Sequence, residues 1–250
     1  MINEQTMQKL HEMKMGGLAD GYRIQSECSE YQKLDFEERF KLLVDKEYAR
    51  RASNKLQKFI LSAKFNEPQA CIEDIEYHED RRLDKALILR LAAGTYLENK
   101  KNIILKGLSG NGKTWLSCAF GVAACRQFYK VKYVRLPELL DELAVAKELA
   151  DGSFRKIINK YKKVQLLIID EWLLTALSIE QSAILLEITE SRHKTASTIF
   201  CSQYDPEGWY EKIGDSTIAD AILDRIVHDS YSIFLAGDKS MRERHGLNGI

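Results

Sequence analysis

Apolar residues recur along this chain with two different periods, and the change of period divides it. Phe36, Phe40, Leu43, Val44, Tyr48, Ala52, Leu56, Phe59, Ile60 and Ala63 return at three- and four-residue spacing, which predicts one long amphipathic helix. Before it, Met7, Leu10 and Met13 lead into Gly16-Gly17, which predicts a short helix closed by a glycine turn. Further on, short apolar runs replace the stripe. Asn102–Lys106, Lys132–Leu136, Val164–Ile169, Ser197–Cys201 and Ser230–Leu235 each read as a buried strand. Helical patterns lie between them: Asp84 to Leu97, Trp115 to Cys125, a stretch opened by Pro137, and short helices from Pro206 and Ser216. Ser178-Ile-Glu-Gln181 is a capping box for another helix, running to about His193. Strands that alternate with helices predict an α/β fold with a parallel sheet covered by helices on both faces.

The pattern also predicts two domains. Residues 1–66 form a small all-helical N-terminal domain, and residues 67–250 the α/β domain. Pro68 ends the long helix, and seven acids among residues 66–84 mark 67–84 as a connector. The helix over 84–97 is placed to wall a ligand site near the first strand, with Tyr77 a candidate contact.

Composition excludes several classes. No apolar run is long enough to cross a membrane, and the N-terminus lacks a charged-then-apolar leader, so a cytoplasmic protein is expected. Five cysteines with no C-x-x-C pair argue against zinc and against a disulfide framework. With 37 Lys+Arg against 37 Asp+Glu, net charge makes no case for nucleic acid; only local clustering can.

The chemistry begins at Gly107-Leu108-Ser109-Gly110-Asn111-Gly112-Lys113-Thr114, which matches G-x-x-x-x-G-K-[ST] between a strand and an apolar helix that starts near Trp115. Backbone N–H groups and a helix N-terminus suit phosphate oxygens. Lys113 would reach the β- and γ-phosphates, and the Thr114 hydroxyl would sit on Mg²⁺. The strand Leu166–Ile169 ends in Asp170-Glu171, at the strand edge where parallel sheets bind ligands. Asp170 can hold the Mg²⁺ water shell, and Glu171 can orient and deprotonate a water attacking the γ-phosphate. Gln203 follows the next strand; its amide either contacts the γ-phosphate or the water, or serves as a turn polar group, with Ser202 the second choice. Arg225 lies at the edge of the stripe Ile218, Ala221, Ile222, so it is either an ion-paired side chain or one offered to another subunit's phosphate. Arg242 is a second guanidinium for the γ-phosphate of its own subunit.

Two local clusters are basic. Between Lys46 and Lys64 lie Arg50, Arg51, Lys55, Lys58 and Lys64, with Arg51, Lys55 and Lys58 on one helical face. A second stretch carries Arg155, Lys156 and Lys160. Both are candidate contacts to DNA phosphates, and both also fit a solvated face.

Taken together these elements resemble the AAA+ ATPases, and more closely the IstB transposition-helper proteins of bacterial insertion sequences, kin of the DnaC helicase loaders. The resemblance covers Lys14-Met-Gly-Gly-Leu-Ala19, Arg50-Arg51 through Lys64, Glu73-Asp74, the glycine loop, Leu167–Glu171, Ser202-Gln203, Leu223-Asp-Arg-Ile226 and Gly237-Asp-Lys-Ser-Met-Arg242. It implies a Mg²⁺-dependent ATPase that oligomerises on duplex target DNA, with ATP at subunit interfaces, and delivers that DNA to, or activates, a partner transposase. It carries Gln203 (or Ser202) to the sensor-1 position, Arg225 to the arginine finger and Arg242 to sensor 2. Only 47 residues follow Gln203, so no C-terminal lid domain is expected. Family loops often carry Pro and Thr where this one has Ser109 and Asn111, a change expected to matter little because the backbone makes the phosphate contacts. A helicase loader is the alternative with the same chemistry. A small-molecule kinase fits less well, because no acceptor-site signature is present.

Overall fold

The computed structural model describes residues 3–246 and falls into two compact units, one ending at Lys58 and the second beginning at Phe59.

The first unit holds α1 (Glu4–Glu12), α2 (Gly16–Glu27), a single 3-10 turn and most of α3 (Phe36–Ala63). Gly16-Gly17 does not close α1, as the pattern suggested, but opens α2. The left-handed residue after α1 is Lys14, with φ 58°. The glycines serve packing instead. A Cβ on Gly17 would lie 2.9 Å from Glu47 Oε2, and one on Gly21 2.8 Å from Leu43 Cδ2, so α2 lies directly on α3. Between them sits the buried Glu47 carboxylate. It accepts from Gly17 N (2.8 Å) and Leu18 N (3.2 Å), two of the amides that α2 cannot satisfy itself. Arg50 and Arg51 donate to the same carboxylate, and Arg50 also reaches the Lys14 carbonyl.

The second unit is built on five parallel strands: β1 (Asn102–Lys106), β2 (Val131–Arg135), β3 (Leu166–Asp170), β4 (Ser197–Ser202) and β5 (Ser230–Phe234), in the order β2-β3-β4-β1-β5. Ahead of β1, the helix expected over 84–97 is two: α4 (Lys85–Ala92) and the short α5 (Thr95–Glu98). Gly94, at φ 93°, breaks them, and its backbone lies against the Gln127 side chain. After β1 comes α6 (Lys113–Arg126), and after β2 come α7 (Leu136–Glu148) and α8 (Ser153–Lys163). The basic stretch around Lys160 is therefore helical, which its many lysines had hidden. Then follow α9 (Ile179–Arg192), with both halves of the capping box formed, α10 (Pro206–Ile213), α11 (Ser216–Val227) and, after β5, the short α12 (Met241–Arg244).

The alternation of each strand builds two layers. Ile104, Val134, Leu167, Ile169 and Phe200 pack with α7–α11 around Trp172 and Trp209. Ile168 points the other way, to α6, where Gly121 lets it and Phe65 come close. Phe65 thus belongs to the α/β unit. The division into units falls at Lys58/Phe59, within α3, where the sequence period does not change.

Hydrogen bonds from Arg50, from Arg51 and from the Leu18 and Gly17 amides hold Glu47 far below the usual carboxylate range, at about 2. A lowered pKa means that the ionised form stabilises the fold. That contribution is complete above the unfolded value of 4.5 and is lost as pH falls toward about 2. Hydrogen exchange on the full chain should show the Gly17 and Leu18 amides losing protection across that window, and losing it already at neutral pH in Glu47→Gln. Unchanged protection in Glu47→Gln would show that the carboxylate does not cap α2.

Candidate phosphate-binding site

Parallel strands bring their C-terminal ends to one edge, and the chemistry collects there. The loop 107–112 leaves β1 and enters α6 through Gly112, which takes φ 87° and so needs glycine. Gly107 is required for another reason: a Cβ there would run into the Leu235 carbonyl. The loop is clamped from the segment after β5. Met241 N donates to Gly110 O (2.8 Å), and the buried Asn111 side chain donates to Leu235 O (2.9 Å). Asn111 was expected to be interchangeable with the residue that related loops carry; instead its amide fixes the loop to the residue that follows β5. Arg81, also buried, donates to the carbonyls of Glu76 (2.6 Å) and Asn111 (3.4 Å), tying the connector to the same loop.

The Lys113 ammonium donates to Gly107 O (2.7 Å) and Leu108 O (2.9 Å), which holds it over the loop. Burial pushes its pKa down. The Thr114 hydroxyl donates to Asp170 Oδ2 at 2.6 Å. Asp170 is buried, and it also accepts from the Tyr133 hydroxyl (2.9 Å) and from Glu171 N (2.8 Å). Burial, reinforced by the Asp170 charge, pushes the Tyr133 phenol up, so it stays a donor. A hydroxyl and a carboxylate in contact, both on rigid elements, suit Mg²⁺. That ion keeps several waters and takes only one or two protein oxygens beside its phosphates. No cluster of three or more His, Cys, Asp or Glu side chains able to hold a metal occurs among the described residues, and a Mg²⁺ site of this kind does not need one.

Glu171 follows Asp170 in a left-handed conformation, φ 53°, a costly setting for a residue with a side chain. The turn is pinned by Trp172 N donating to Cys201 O (2.8 Å). Glu171 Oε1 accepts from Arg135 Nη2 at 2.6 Å, and Arg135 also lies 3.4 Å from Glu138. Arg135 ends β2, in register with Asp170. No motif in the sequence marks it for this role. Its place as the last residue of an apolar strand, at the edge that carries Asp170, was the available signal.

Lys113, Thr114, Asp170 and Glu171 line an open cleft of about 370 Å³, which also receives Trp115, Gln203, Arg242 and His245. A second hollow of similar volume adjoins it beyond Gly112 and Trp115, walled by Gln69, Asp74, Glu76 and Arg81. Tyr77 does not line it; its hydroxyl is buried and Lys85 lies over its ring. Ser202 does not reach the cleft either. Its hydroxyl donates to Trp172 O and accepts from Tyr204 N and Trp209 Nε1, so its hydrogen-bonding capacity is used in the fold. Arg225 is elsewhere. It pairs with Glu190 (2.7 Å) and donates to the Ala221 carbonyl, beside Asn102, the first residue of β1, and Thr198, the second of β4. That is the strand edge opposite the loop. Of the basic candidates, Arg50 is engaged with Glu47, Arg51 remains about half exposed, and Lys55 and Lys58 lie on the exposed part of α3. Arg155 and Lys156 are exposed on α8, while Lys64 and Lys160 face a common hollow.

The model of a family described as IstB-like ATP binding protein matches residues 8–249. A protein of Sinorhizobium fredii (strain NBRC 101917 / NGR234), named as an insertion sequence ATP-binding protein, is 38% identical over 244 residues, covering 98% of each chain. Among solved structures, the replication initiator DnaA bound to AMPPCP and single-stranded DNA superposes with a TM-score of 0.56 at 20% identity, over 70% of this chain and 52% of that one. The DnaC helicase loader gives 0.56 at 16% identity, over 66% of this chain and 96% of that one. These two likenesses establish the AAA+ fold.

The clamp on the loop can be tested directly. Asn111→Ala leaves the buried Leu235 carbonyl without its donor, a loss of about 1–3 kcal/mol. Thermal unfolding should show a clear drop in midpoint. An unchanged midpoint would mean that the loop does not depend on this bond.

Proposed function

The chain belongs to the IstB-like ATP-binding family of insertion-sequence proteins, and on that premise we propose that it is a Mg²⁺-dependent ATPase that assembles on duplex DNA and serves a partner transposase. The observation that carries the chemistry is the contact between Thr114 and the buried Asp170, with Glu171 and Lys113 lining the same cleft. The triphosphate lies along the loop amides and the Lys113 ammonium. Thr114 and Asp170 would hold Mg²⁺, which when bound would neutralise charge on the phosphates. The base and ribose extend past Trp115 into the adjoining hollow beside Gln69 and Arg81.

Glu171 is the base that orients and deprotonates the attacking water, and Gln203 positions that water or the γ-phosphate. Arg135 holds the Glu171 carboxylate in place, which supports its side chain being fixed before the water arrives. Arg242 answers the charge on the γ-phosphate from within the subunit. Arg225 is too far round the sheet to do so. Its place at the opposite strand edge supports a role on the ATP of a neighbouring subunit, released there from Glu190. Hydrolysis then depends on assembly.

The helical N-terminal region supplies part of the DNA contact, through Arg51, Lys55 and Lys58 on the exposed side of α3. The likeness to the DnaC helicase loader concerns the fold alone, and no feature of this chain favours helicase loading over the insertion-sequence role.

Two experiments test this reading. Lys113→Ala should remove most ATP binding, whereas Glu171→Gln should bind ATP normally and turn over ~10²–10⁴-fold more slowly. Turnover in Glu171→Gln equal to that of the wild type would sink the assignment of the base. Mixing tests the trans role of Arg225. Arg225→Ala subunits keep a whole phosphate site, and Lys113→Ala subunits keep a whole finger. Their mixture should regain DNA-stimulated hydrolysis that neither has alone. Absence of rescue in mixtures shown to co-assemble would place Arg225 in a purely structural role.

A further inference from the structure

Strand β2 lies at the edge of the sheet, and its second residue is a lysine. Lys132 is only 7% exposed, and among the described residues its ammonium makes no ion pair. It lines a hollow of about 420 Å³ that shares only Asn66 with the nucleotide cleft. Lys64 from the end of α3 and Lys160 from α8 stand at the rim, and Arg135 lies at one side. The two carboxylates in the walls already have partners. Glu142 accepts the Tyr161 hydroxyl and lies 4.0 Å from Lys160, and Glu138 faces Arg135. Cations therefore outnumber anions around an opening that water can enter.

Such an arrangement is unfavourable by itself. Burial, with Lys160 and Lys64 adding their repulsion, pushes the Lys132 ammonium down to about 8. A bound oxyanion would relieve both effects. The positive charge also continues outward from the hollow: Lys156, Lys160 and Lys163 recur at i, i+4, i+7 along one face of α8. A row of exposed ammonium groups leading from a buried one suits a repeating anion better than a single carboxylate.

We propose that this hollow, lined by Lys132 with Lys64 and Lys160 at its rim, seats a backbone phosphate of bound DNA. The assignment rests on the DNA-binding reading given above and adds to it a contact in the α/β unit, made by a residue buried in an edge strand. The contact is to phosphate and carries no base specificity.

The test uses the full chain and two variants. Lys132→Met removes the ammonium and keeps the aliphatic stem. Lys64→Gly removes a rim charge at a position whose φ of 58° glycine adopts freely, so it is expected to fold at least as well as the wild type. Duplex binding is measured against salt concentration, and ATP binding beside it. Each variant should weaken binding to all duplexes alike and lower the log–log salt slope by about 0.9, with ATP affinity unchanged. In parallel, Lys132 is labelled with an amine-reactive reagent and read by mass spectrometry. Duplex DNA should protect it, and inorganic phosphate at the same phosphate concentration should not. If the wild type binds duplex but neither variant changes affinity or slope, the seat is wrong while the DNA reading stands. If the wild type binds no duplex, the DNA reading itself fails. Protection of Lys132 by inorganic phosphate alone would overturn the assignment in favour of a small-anion site.

Discussion

The site depends on one buried carboxylate. Asp170 receives a hydroxyl from Thr114 at the start of α6, a phenol from Tyr133 on β2 and the backbone amide of Glu171. A carboxylate out of water is tolerated only when its lone pairs are met, and here each donor comes from a different piece of the site. The phosphate loop, the edge strand and the turn that presents Glu171 are thereby held to one point. The strained backbone at Glu171 persists because that point is over-determined.

A second set of bonds ties the loop to the end of the chain. Asn111 and Met241 join it to the segment after β5, and Arg244 pairs with Asp80 in the connector. Residues around 235–245 therefore do two things. They carry Arg242 into the cleft, and they fix the loop from behind. The opposite strand edge, where Arg225 pairs with Glu190, has no part in this network.

Much of this was legible in the sequence, for identifiable reasons. The five strands are short, mostly apolar runs, and the loop motif is fixed in both residue type and flanks. The capping box at Ser178 is a local device that tertiary packing leaves alone. What escaped depended on partners distant in the chain. Gly16-Gly17 read as a stop because glycine usually is one; only the close packing of α2 on α3 explains their position. α8 was hidden by its lysines, and the break at Gly94 by an apolar period that continues past it. The unit boundary falls within α3, where no change of pattern marks it. Arg135 and Lys132 sit in a strand whose apolar character drew attention away from its two charges. Asn111 acts through the Leu235 carbonyl and Arg81 through the Asn111 carbonyl, both distant in the chain, which no spacing rule finds. Net neutrality concealed the basic hollow for a similar reason: a balanced total says nothing about how the charges are distributed.

The most direct test concerns the Asp170–Thr114 contact and the ion it is proposed to hold. ATP affinity is measured by calorimetric titration with and without Mg²⁺, for the wild type and for Asp170→Asn. Mg²⁺ should tighten ATP binding to the wild type and have little effect on Asp170→Asn, while binding without the ion remains similar in both. An equal Mg²⁺ effect in the two proteins would contradict the assignment of Asp170 and Thr114 as the centre of the site.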